Sequence, residues 1–567
     1  MLNQTKTPIV ETLKNLSQKS HASFYAPGHK QGKGIPQPLT ELLGTKVFPA
    51  DLPELPELDN LFAPEGVIQE AQELAAETFG ALHTKFLVNG STTGIIAGIL
   101  ATCGNGEKII LPRNIHQSVI SGLILSGAIP IFIYPEYDSH WDIPLSITPQ
   151  SIAQTLAKHP DAKAVMIVYP TYHGVCGDIR AIAEQVHKYN IPLLVDEAHG
   201  AHFAFHPELP IPALVGGADL TVQSTHKTLG AMTQASMLHI GSNRIDLYRL
   251  EQALQILQSS SPSYLLLASL DADRQQMALF GEELMSQTLE LAKNARNRIS
   301  QLSNYSVFEL EGKSKKKEER SLTCLSGDSD LLENEIKQKI EESGEIFSIP
   351  NTQLLTTNSP IENEVKEKIE ELGEIFSTPN PQLPTPNSPI ENYFNPGFIA
   401  LDQTRLTIKV SNMGLSGYET DEILHQELGV TCELPSFQNL TFIISLGNTK
   451  TDIDQLVTGL VNLSDRGQVN LPTNHRTKFN FQVTDCSIPV SPRDAFFADQ
   501  DCLPIEKSVG YISAELLCPY PPGIPVLIPG EIITEKHLQI LEQVLANGGI
   551  ITGCSDPILK TIKVSRF

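Results

Sequence analysis

Between about residues 80 and 240 the sequence alternates short apolar runs with amphipathic, helix-like stretches. The apolar runs lie at residues 85–90, 108–112, 129–134, 164–170, 191–198, 218–224 and 236–241. Because strands that alternate with helices usually pair in parallel, this pattern predicts an α/β fold with a mostly parallel central sheet covered by helices on both faces. In such folds ligands bind at the carboxyl ends of the strands.

The flanking regions suggest further domains in the 567-residue chain. Residues 1–20 predict an N-terminal arm with a short amphipathic helix, and residues 21–275 a major domain. Apolar alternation resumes after an interruption, so residues 276–311 and 394–466 together predict a small α/β domain. Residues 467–567 predict a C-terminal α+β domain.

The interruption contains an internal duplication. Residues 336–364 recur as residues 365–393 with identity at 21 of 29 positions, and both copies end in a tract rich in proline, asparagine, serine and threonine. Two copies are too few for a solenoid. We therefore predict that residues 312–393 form a duplicated, largely exposed insertion of short helices followed by flexible linkers, with binding of a partner as the alternative.

Charge and cysteine usage exclude several classes of protein. A net charge of −24 argues against nucleic-acid binding. The eight cysteines form no C-x-x-C pair, which argues against a zinc ribbon or a disulfide scaffold and favours a reducing cytosol. No apolar run approaches the roughly 18 residues of a membrane span, and the N-terminus lacks the apolar core of a signal peptide. We expect a cytoplasmic protein without a membrane partner.

Three polar segments follow predicted strands. Ser91, Thr92 and Thr93 lie in "NGSTTG" (89–94), where a strand gives way to a helix-like segment, so their hydroxyls and backbone N–H groups predict an anion-binding cradle. Asp196 ends a strongly apolar run, where a carboxylate needs a cationic or N–H partner. Lys227 follows the next strand, 31 residues later, in "QSTHKTLG".

Two other interpretations of "DEAHGAH" (196–202) fail. A nucleotide-driven helicase needs a GxxxxGK[ST] loop, which the chain lacks. A metal site at Asp196, His199, His202 and His206 has no HExxH motif and no cysteine to support it, and we predict no metal.

An anion cradle, a strand-end aspartate and a lysine, in that order, match what pyridoxal 5′-phosphate (PLP) requires. Lys227 would form the Schiff base, and Asp196 would keep the pyridine nitrogen protonated so that the ring withdraws electrons. The hydroxyls of the cradle, together with Ser224 and His226, would hold the phosphate. His116, in "RNIHQS" after another predicted strand, could stack on the ring.

With these residues in place, the sequence resembles the prokaryotic class-I ornithine/lysine/arginine decarboxylases of the aspartate-aminotransferase fold (PLP-dependent fold type I). The resemblance spans the chain except residues 312–393 and is that of the short form. It rests on "FYAPGHKQG", "NGSTTG", "RNIHQS", "YPTYHGVCGD", "VDEAHGAH", "QSTHKTLGAMTQAS", "SPSY", "DQTRLTIKVS" and "PYPPGIPVLIPGE" in this order.

The resemblance implies roles for matching residues. Lys227, Asp196 and His116 correspond to the catalytic lysine, the partner of the pyridine nitrogen and the stacking histidine. Ser260, which stands where the family carries threonine, would reach the phosphate in a neighbouring subunit. Glu531, which closes "PGE", would meet the distal cation of the substrate. The remaining cofactor-binding positions are Ser91, Thr92, Thr93, His199, Ser224 and His226.

The implied function is PLP-dependent decarboxylation of a basic amino acid, arginine or lysine rather than ornithine, by a homodimer or higher homo-oligomer. Lys227 and His226 are both candidates for the proton donor. Two alternatives stay open at this point: another enzyme of the same fold, such as an aminotransferase or aldolase, and a regulatory homologue without catalysis.

Overall fold

The computed structural model describes residues 2–309, 398–466 and 487–567. The predicted insertion, residues 312–393, lies outside the described residues.

The central sheet has seven strands, numbered β1 to β7 along the chain: His83–Leu87, Lys108–Pro112, Ile129–Ile133, Ala164–Val168, Leu193–Asp196, Leu220–Gln223 and Ser236–Ile240. Their order across the sheet is β3-β2-β4-β5-β6-β7-β1. β7 pairs antiparallel with both of its neighbours, and the other pairs are parallel. The predicted mostly parallel sheet is confirmed.

The inner strands β2, β4 and β5 are apolar on both faces over most of their length. In β5, Leu193 and Val195 pack into one core layer and Leu194 packs into the opposite one. Side chains alternate between the faces of a strand, so two apolar faces require cover on both sides. The described helices that cover them include Pro8–Ser17, Val67–Phe79, Gly90–Thr102, Gln117–Ser126, Pro149–Lys158, Ile179–His187, Leu247–Leu257 and Tyr264–Ser300.

The predicted N-terminal helix spans Pro8–Ser17 and begins with proline, which at the first helical position costs no helical hydrogen bond. Ile9, Leu13 and Leu16 are buried. The Ile9 N–H donates to Asp271, which is ion-paired with Arg274 in the 37-residue helix Tyr264–Ser300.

Two smaller groups of elements follow. A four-stranded antiparallel sheet joins Ser306–Val307, Arg405–Lys409, Asn439–Ile443 and Leu434–Pro435 in that spatial order, with helices Gly417–Leu428 and Lys450–Asp465 packed against it. The C-terminal part pairs Asp499–Pro504 with Thr561–Arg566 and Cys518–Tyr520 with Ile550–Thr552 around helix Glu535–Ala546. The short helices are Gln37–Leu43, Thr225–Thr228 and Pro492–Phe497.

Candidate active site

The parallel arrangement of β5 and β6 brings Asp196 and Lys227 to the same edge of the sheet. Asp196 is the last residue of β5, and Lys227 lies in the single helical turn Thr225–Thr228 that follows β6. A cavity opens between them, lined by Ser91, His116, Ser118, Val168, Tyr172, Asp196, Ala198, His199 and Lys227. The structure therefore brings together five of the residues that the sequence singles out.

The amine of Lys227 lies against an imidazole. Its Nζ is 3.0 Å from Nε2 of His199 and 5.9 Å from the centre of the Tyr172 ring. Burial lowers the pKa of Lys227, and the negative charge of Asp196 partly opposes that effect. A lysine with a lowered pKa is more often present as the nucleophilic free amine.

The carboxyl group of Asp196 is buried beside the cavity. One oxygen accepts the backbone N–H of Ala198 at 3.2 Å. Burial raises the pKa of Asp196, while Lys227 and the Ala198 N–H act in the opposite direction. A buried carboxylate is stabilised most by a cation beside it, so a protonated ring nitrogen would suit this place.

Ser91 and Ser224 meet at the predicted anion cradle. The Ser224 hydroxyl donates to Oγ of Ser91 at 2.7 Å, which joins the start of helix Gly90–Thr102 to the end of β6. Asn89, at the cap position of this helix, makes no side-chain capping hydrogen bond. The first-turn N–H groups of a helix attract anions, so hydroxyls and helix terminus together form a site that fits a phosphate.

The other predicted phosphate contacts lie elsewhere. Thr93 is buried and donates to the carbonyl of Asn89 at 3.2 Å, and Thr92 is exposed. His226 places Nδ1 2.8 Å from the carbonyl of Ala235, and burial lowers its pKa. None of the three lines the cavity around Lys227, and their binding roles stay predictions.

His116 is fixed in orientation by the helix that it caps. Its Nδ1 accepts the N–H of Ser118 at 3.2 Å, at the start of helix Gln117–Ser126. Burial, and to a lesser extent the neighbouring Lys227, lowers the pKa of His116 to about 4. The ring is therefore neutral near pH 7 and offers the cavity a flat, uncharged face.

Two predicted residues do not reach this cavity. Ser260 is exposed. Glu531 is completely buried, and its oxygens accept Nη2 of Arg113 at 3.2 and 3.1 Å and the N–H of Ile528 at 2.9 Å. In this structure the carboxylate of Glu531 is thus neutralised by a cation of the protein itself, and a contact with the substrate stays a prediction.

The histidines considered as metal ligands are also separated. His202 contacts Asp402, and His206 contacts Ser286.

Tyr172 and Arg405 are part of the site but were not singled out from the sequence. The Tyr172 ring lies 4.7 Å from that of His199, and its hydroxyl donates to the carbonyl of Pro522 in the proline-rich loop. Arg405 is buried and places Nη2 2.9 Å from Nδ1 of His199. Both stand in quoted motifs, "YPTYHGVCGD" and "DQTRLTIKVS", but no spacing rule connects residues so distant in sequence.

The residues present fit PLP. A nucleophilic lysine, an acidic partner, a flat neutral ring and an anion cradle surround one cavity. The lysine would bind the aldehyde of PLP, and the acidic partner would bind its pyridine nitrogen. The neutral imidazole would lie against its aromatic ring, and the anion cradle would bind its phosphate.

Comparison with known proteins agrees with this geometry. The family model "Orn/Lys/Arg decarboxylase, major domain" matches residues 7–371, and "Orn/Lys/Arg decarboxylase, C-terminal domain" matches residues 481–549. The arginine decarboxylase of Bacillus subtilis is 33% identical over 100% of this chain and 99% of its own length. That of Halalkalibacterium halodurans is 34% identical with the same coverage.

The constitutive lysine decarboxylase of Escherichia coli has a similar fold, with a TM-score of 0.73 over 99% of this chain and 82% of that chain at 19% identity.

The central sheet, with Asp196 and Lys227 at one edge, defines the class of fold, which is fold type I. The chain belongs to the Orn/Lys/Arg decarboxylase family and is a carboxy-lyase that acts on a basic amino acid. Family membership separates it from the aminotransferases and aldolases of the same fold, and from a regulatory homologue. In the described residues, no helix is long and apolar enough to cross a membrane.

Proposed function

We propose that the protein uses PLP to decarboxylate L-arginine, releasing carbon dioxide and agmatine. The cavity in which Lys227 and Asp196 face each other is the observation that carries this proposal. The choice of arginine is supported by the full-length relatives described as arginine decarboxylases.

Lys227 would hold the cofactor covalently, Asp196 would hold its ring nitrogen, and Ser91 with Ser224 would hold its phosphate. When bound, PLP withdraws the electron pair that the departing carboxylate leaves behind. Asp196 would matter most at that step, because it would stabilise the positive charge on the ring nitrogen. That positive charge offsets the negative charge that develops when the carboxylate departs. His116 would offer the cofactor ring a fixed, neutral imidazole on which to stack.

Protonation of the product carbon is proposed for Lys227 rather than His226. Lys227 lines the cavity, whereas Nδ1 of His226 is directed at the carbonyl of Ala235. A proton donor must reach the reacting atom within hydrogen-bonding distance, so geometry favours the lysine, which would donate as an ammonium group after its amine has taken up a proton.

A second cavity adjoins the first and would receive the substrate side chain. The two cavities share the ring of Tyr172. The walls of the second are rich in proline and carry the aromatic residues Tyr134, Tyr137, Tyr172, Tyr418 and Phe437. Planar guanidinium groups stack on aromatic rings better than a lysine ammonium does, which favours arginine.

Asp142 supplies a carboxyl group to this second cavity, where it accepts a hydrogen bond from the Tyr137 hydroxyl. Burial raises the pKa of Asp142 to about 7. A cation bound beside it would favour the ionised form, and we propose this carboxylate as the partner of the guanidinium.

Turnover measured side by side on arginine, lysine and ornithine tests the proposal. The full chain is supplied with PLP, and released carbon dioxide and amine are quantified. We expect agmatine to be the main product, with kcat/KM for arginine at least tenfold above that for lysine. A preference for lysine would overturn the choice of substrate, and inactivity on all three would overturn the proposed function.

We also infer at least a homodimer. Phe24 and Leu42 are 95% and 78% exposed, and apolar side chains so exposed suit cover by a second copy. Ser260, exposed in one copy, would then be available to the site of the other. Light scattering on the active enzyme tests this inference, and a fully active monomer would refute it.

A cytoplasmic location is likewise proposed. The six cysteines in the described residues are free, which suits a reducing compartment.

A further inference from the structure

A chain of hydrogen bonds runs from the small antiparallel sheet to the amine of Lys227. Arg405, the first residue of strand Arg405–Lys409, places Nη2 2.9 Å from Nδ1 of His199 and 3.3 Å from the His199 carbonyl. Nε2 of the same imidazole is 3.0 Å from Nζ of Lys227. We call Arg405, His199 and Lys227 the relay.

Hydrogen-bonding capacity fixes the direction of every bond in the relay. A guanidinium has only donors, so Nδ1 of His199 must be the acceptor. An imidazole that accepts at Nδ1 carries its hydrogen on Nε2. That N–H points at Lys227, and an ammonium group has no lone pair to accept it, so Nζ is the acceptor and the amine is uncharged.

We propose that Arg405 sets the tautomer of His199 and that His199 thereby holds Lys227 as a neutral amine, ready to bind a carbonyl group. His199 and Arg405 are positioning residues in this proposal. The inference rests on the proposed role of Lys227 and adds a device that controls its protonation.

Packing around Arg405 supports a fixed arrangement. The guanidinium is buried, and Nε lies 3.8 Å from Asp402, which also lies 3.1 Å from Nε2 of His202. Gly174 has φ +82°, and a Cβ there would come within 2.8 Å of Cβ of Arg405. The absence of a side chain at residue 174 thus lets Arg405 approach His199.

Other charged groups act on Lys227 as well. Asp196 on β5 and Glu433 raise its pKa, whereas Arg405 and burial lower it. The titratable side chains His116 and Tyr172 complete the wall of the cavity, and His226 stands next to Lys227 in sequence. Because His199 is neutral in the relay, replacing it removes no charge from the cavity. A change in the pKa of Lys227 would therefore report the loss of the hydrogen bond from His199.

The rate at which Lys227 is acylated, measured against pH, tests the relay. Full-length protein freed of cofactor is pulsed with acetic anhydride, and peptides are quantified by mass spectrometry with the exposed Lys14 as the internal reference. In the wild type we expect a midpoint at least two pH units below the roughly 10.4 of an ordinary lysine. An ordinary midpoint in the wild type would overturn the proposal by itself.

His199→Phe keeps an aromatic ring but removes the N–H donor. We expect the pH midpoint of Lys227 acylation to rise by at least one unit. At any pH below the midpoints of both proteins, Lys227 in the variant would then be labelled at least tenfold more slowly than in the wild type. His206→Gln is the control, because His206 contacts Ser286 away from the cavity, and it should keep the wild-type midpoint. A His199→Phe protein that folds, by circular dichroism, yet keeps the wild-type midpoint would overturn the proposal.

Substitutions of Arg405 provide a second comparison in case His199→Phe fails to fold. Arg405→Lys retains an obligate donor and should keep the low midpoint, whereas Arg405→Met should raise it. Equal midpoints in the two would count against the relay. The labelling uses neither PLP nor amino acid, so failure of the proposed function would show in turnover, and failure of the relay would show here.

Discussion

Arg113 and Glu531 form a buried ion pair, with Nη2 of Arg113 3.1 Å from a carboxylate oxygen of Glu531. Arg113 follows β2 at the edge of the sheet, and Glu531 lies at the end of the proline-rich loop. Nη1 of Arg113 also donates to the carbonyl of Pro525 at 2.7 Å. One guanidinium thus fastens the C-terminal loop to the part of the sheet that carries the cavities.

Glu531→Gln should therefore lower stability before it affects substrate binding. Removal of one charge from a buried pair leaves the other uncompensated and typically costs about 3–5 kcal/mol. We expect a thermal midpoint several degrees lower, with KM for arginine changed less than threefold in the folded fraction. The control Glu542→Gln, at an exposed position, should change neither quantity. A large rise in KM at unchanged stability would instead support the substrate contact predicted from the sequence.

Lys227→Ala should abolish the reaction while the protein stays folded. The side chain lines a cavity, and its described partners there are His199 and the ring of Tyr172, both of which are held by other contacts as well. We expect at least a 10⁴-fold loss of kcat, because the covalent site is removed. Borohydride reduction should attach the cofactor to the peptide with Lys227 in the wild type and leave the variant unlabelled. Labelling of another lysine at the same yield would contradict the assignment.

Asp196→Asn should keep the shape of the cavity but remove its negative charge. A loss of roughly 10²–10³-fold in kcat is expected, the range typical of a group that stabilises developing charge. Asp219→Asn is the matched control, since Asp219 is an equally buried aspartate that precedes β6, where it pairs with Arg244. This control should lower thermal stability and leave kcat nearly unchanged. Similar kcat losses in both variants would argue against a special role for Asp196.

The central sheet was predictable because most of its strands lie in apolar runs that alternate with helix-like segments. Asp196, Lys227, His116, Ser91 and Ser224 were predictable for a related reason: each stands at the end of such a run or shortly after it, and the carboxyl ends of parallel strands meet at one edge. The positions of these residues could therefore be predicted from the local pattern of apolar runs and helix-like segments.

Arg405 and Glu531 show where local sequence is insufficient. Arg405 stands 206 residues from His199, and Glu531 stands 418 residues from Arg113. A local sequence pattern does not identify the cation that will pair with a buried carboxylate. The pairing of Glu531 with Arg113 could therefore not be predicted, and the sequence left Glu531 as a candidate for contact with the substrate. Thr93 shows a different limit, because a threonine in the first turn of a helix can donate back to its own backbone, as Thr93 does to Asn89.

Buried neutral histidines should make the protein sensitive to acid. Burial lowers the pKa of His116, His173 and His537 to about 4 and that of His239 to about 3, from an ordinary 6.5. With a pKa lower in the folded than in the unfolded state, each contributes stability above pH 6.5 that is lost as pH falls towards the folded value. We expect the thermal midpoint to fall steadily from pH 6.5 to pH 4.

His239→Gln tests whether buried neutral histidines cause the loss of stability in acid. The Nδ1 of His239 contacts Thr84 at 2.8 Å and Nε2 contacts Gln223 at 3.0 Å, so replacement will lower stability at pH 7. The decline between pH 6.5 and pH 4 should nevertheless become shallower than in the wild type, because one group no longer takes up a proton on unfolding. His21→Gln, at an exposed position, should leave the decline unaltered. An unchanged slope in His239→Gln would show that other groups cause the sensitivity to acid.

Asp142→Asn should weaken the binding of arginine and alter its dependence on pH. Loss of a charged hydrogen bond is worth about 1.5–3 kcal/mol, so KM should rise roughly 10- to 100-fold, with kcat changed much less. Because the pKa of Asp142 is raised to about 7, its carboxyl group ionises as pH increases from 6 to 8, and KM of the wild type should fall over that interval. The variant should show no such fall.

Tyr137→Phe is the control, because it removes the hydroxyl bonded to Asp142 but keeps the ring and the carboxylate. It should raise KM by a smaller factor and retain the fall of KM with pH. If Asp142→Asn keeps the KM of the wild type at pH 8, the cavity lined by Asp142 does not bind the guanidinium.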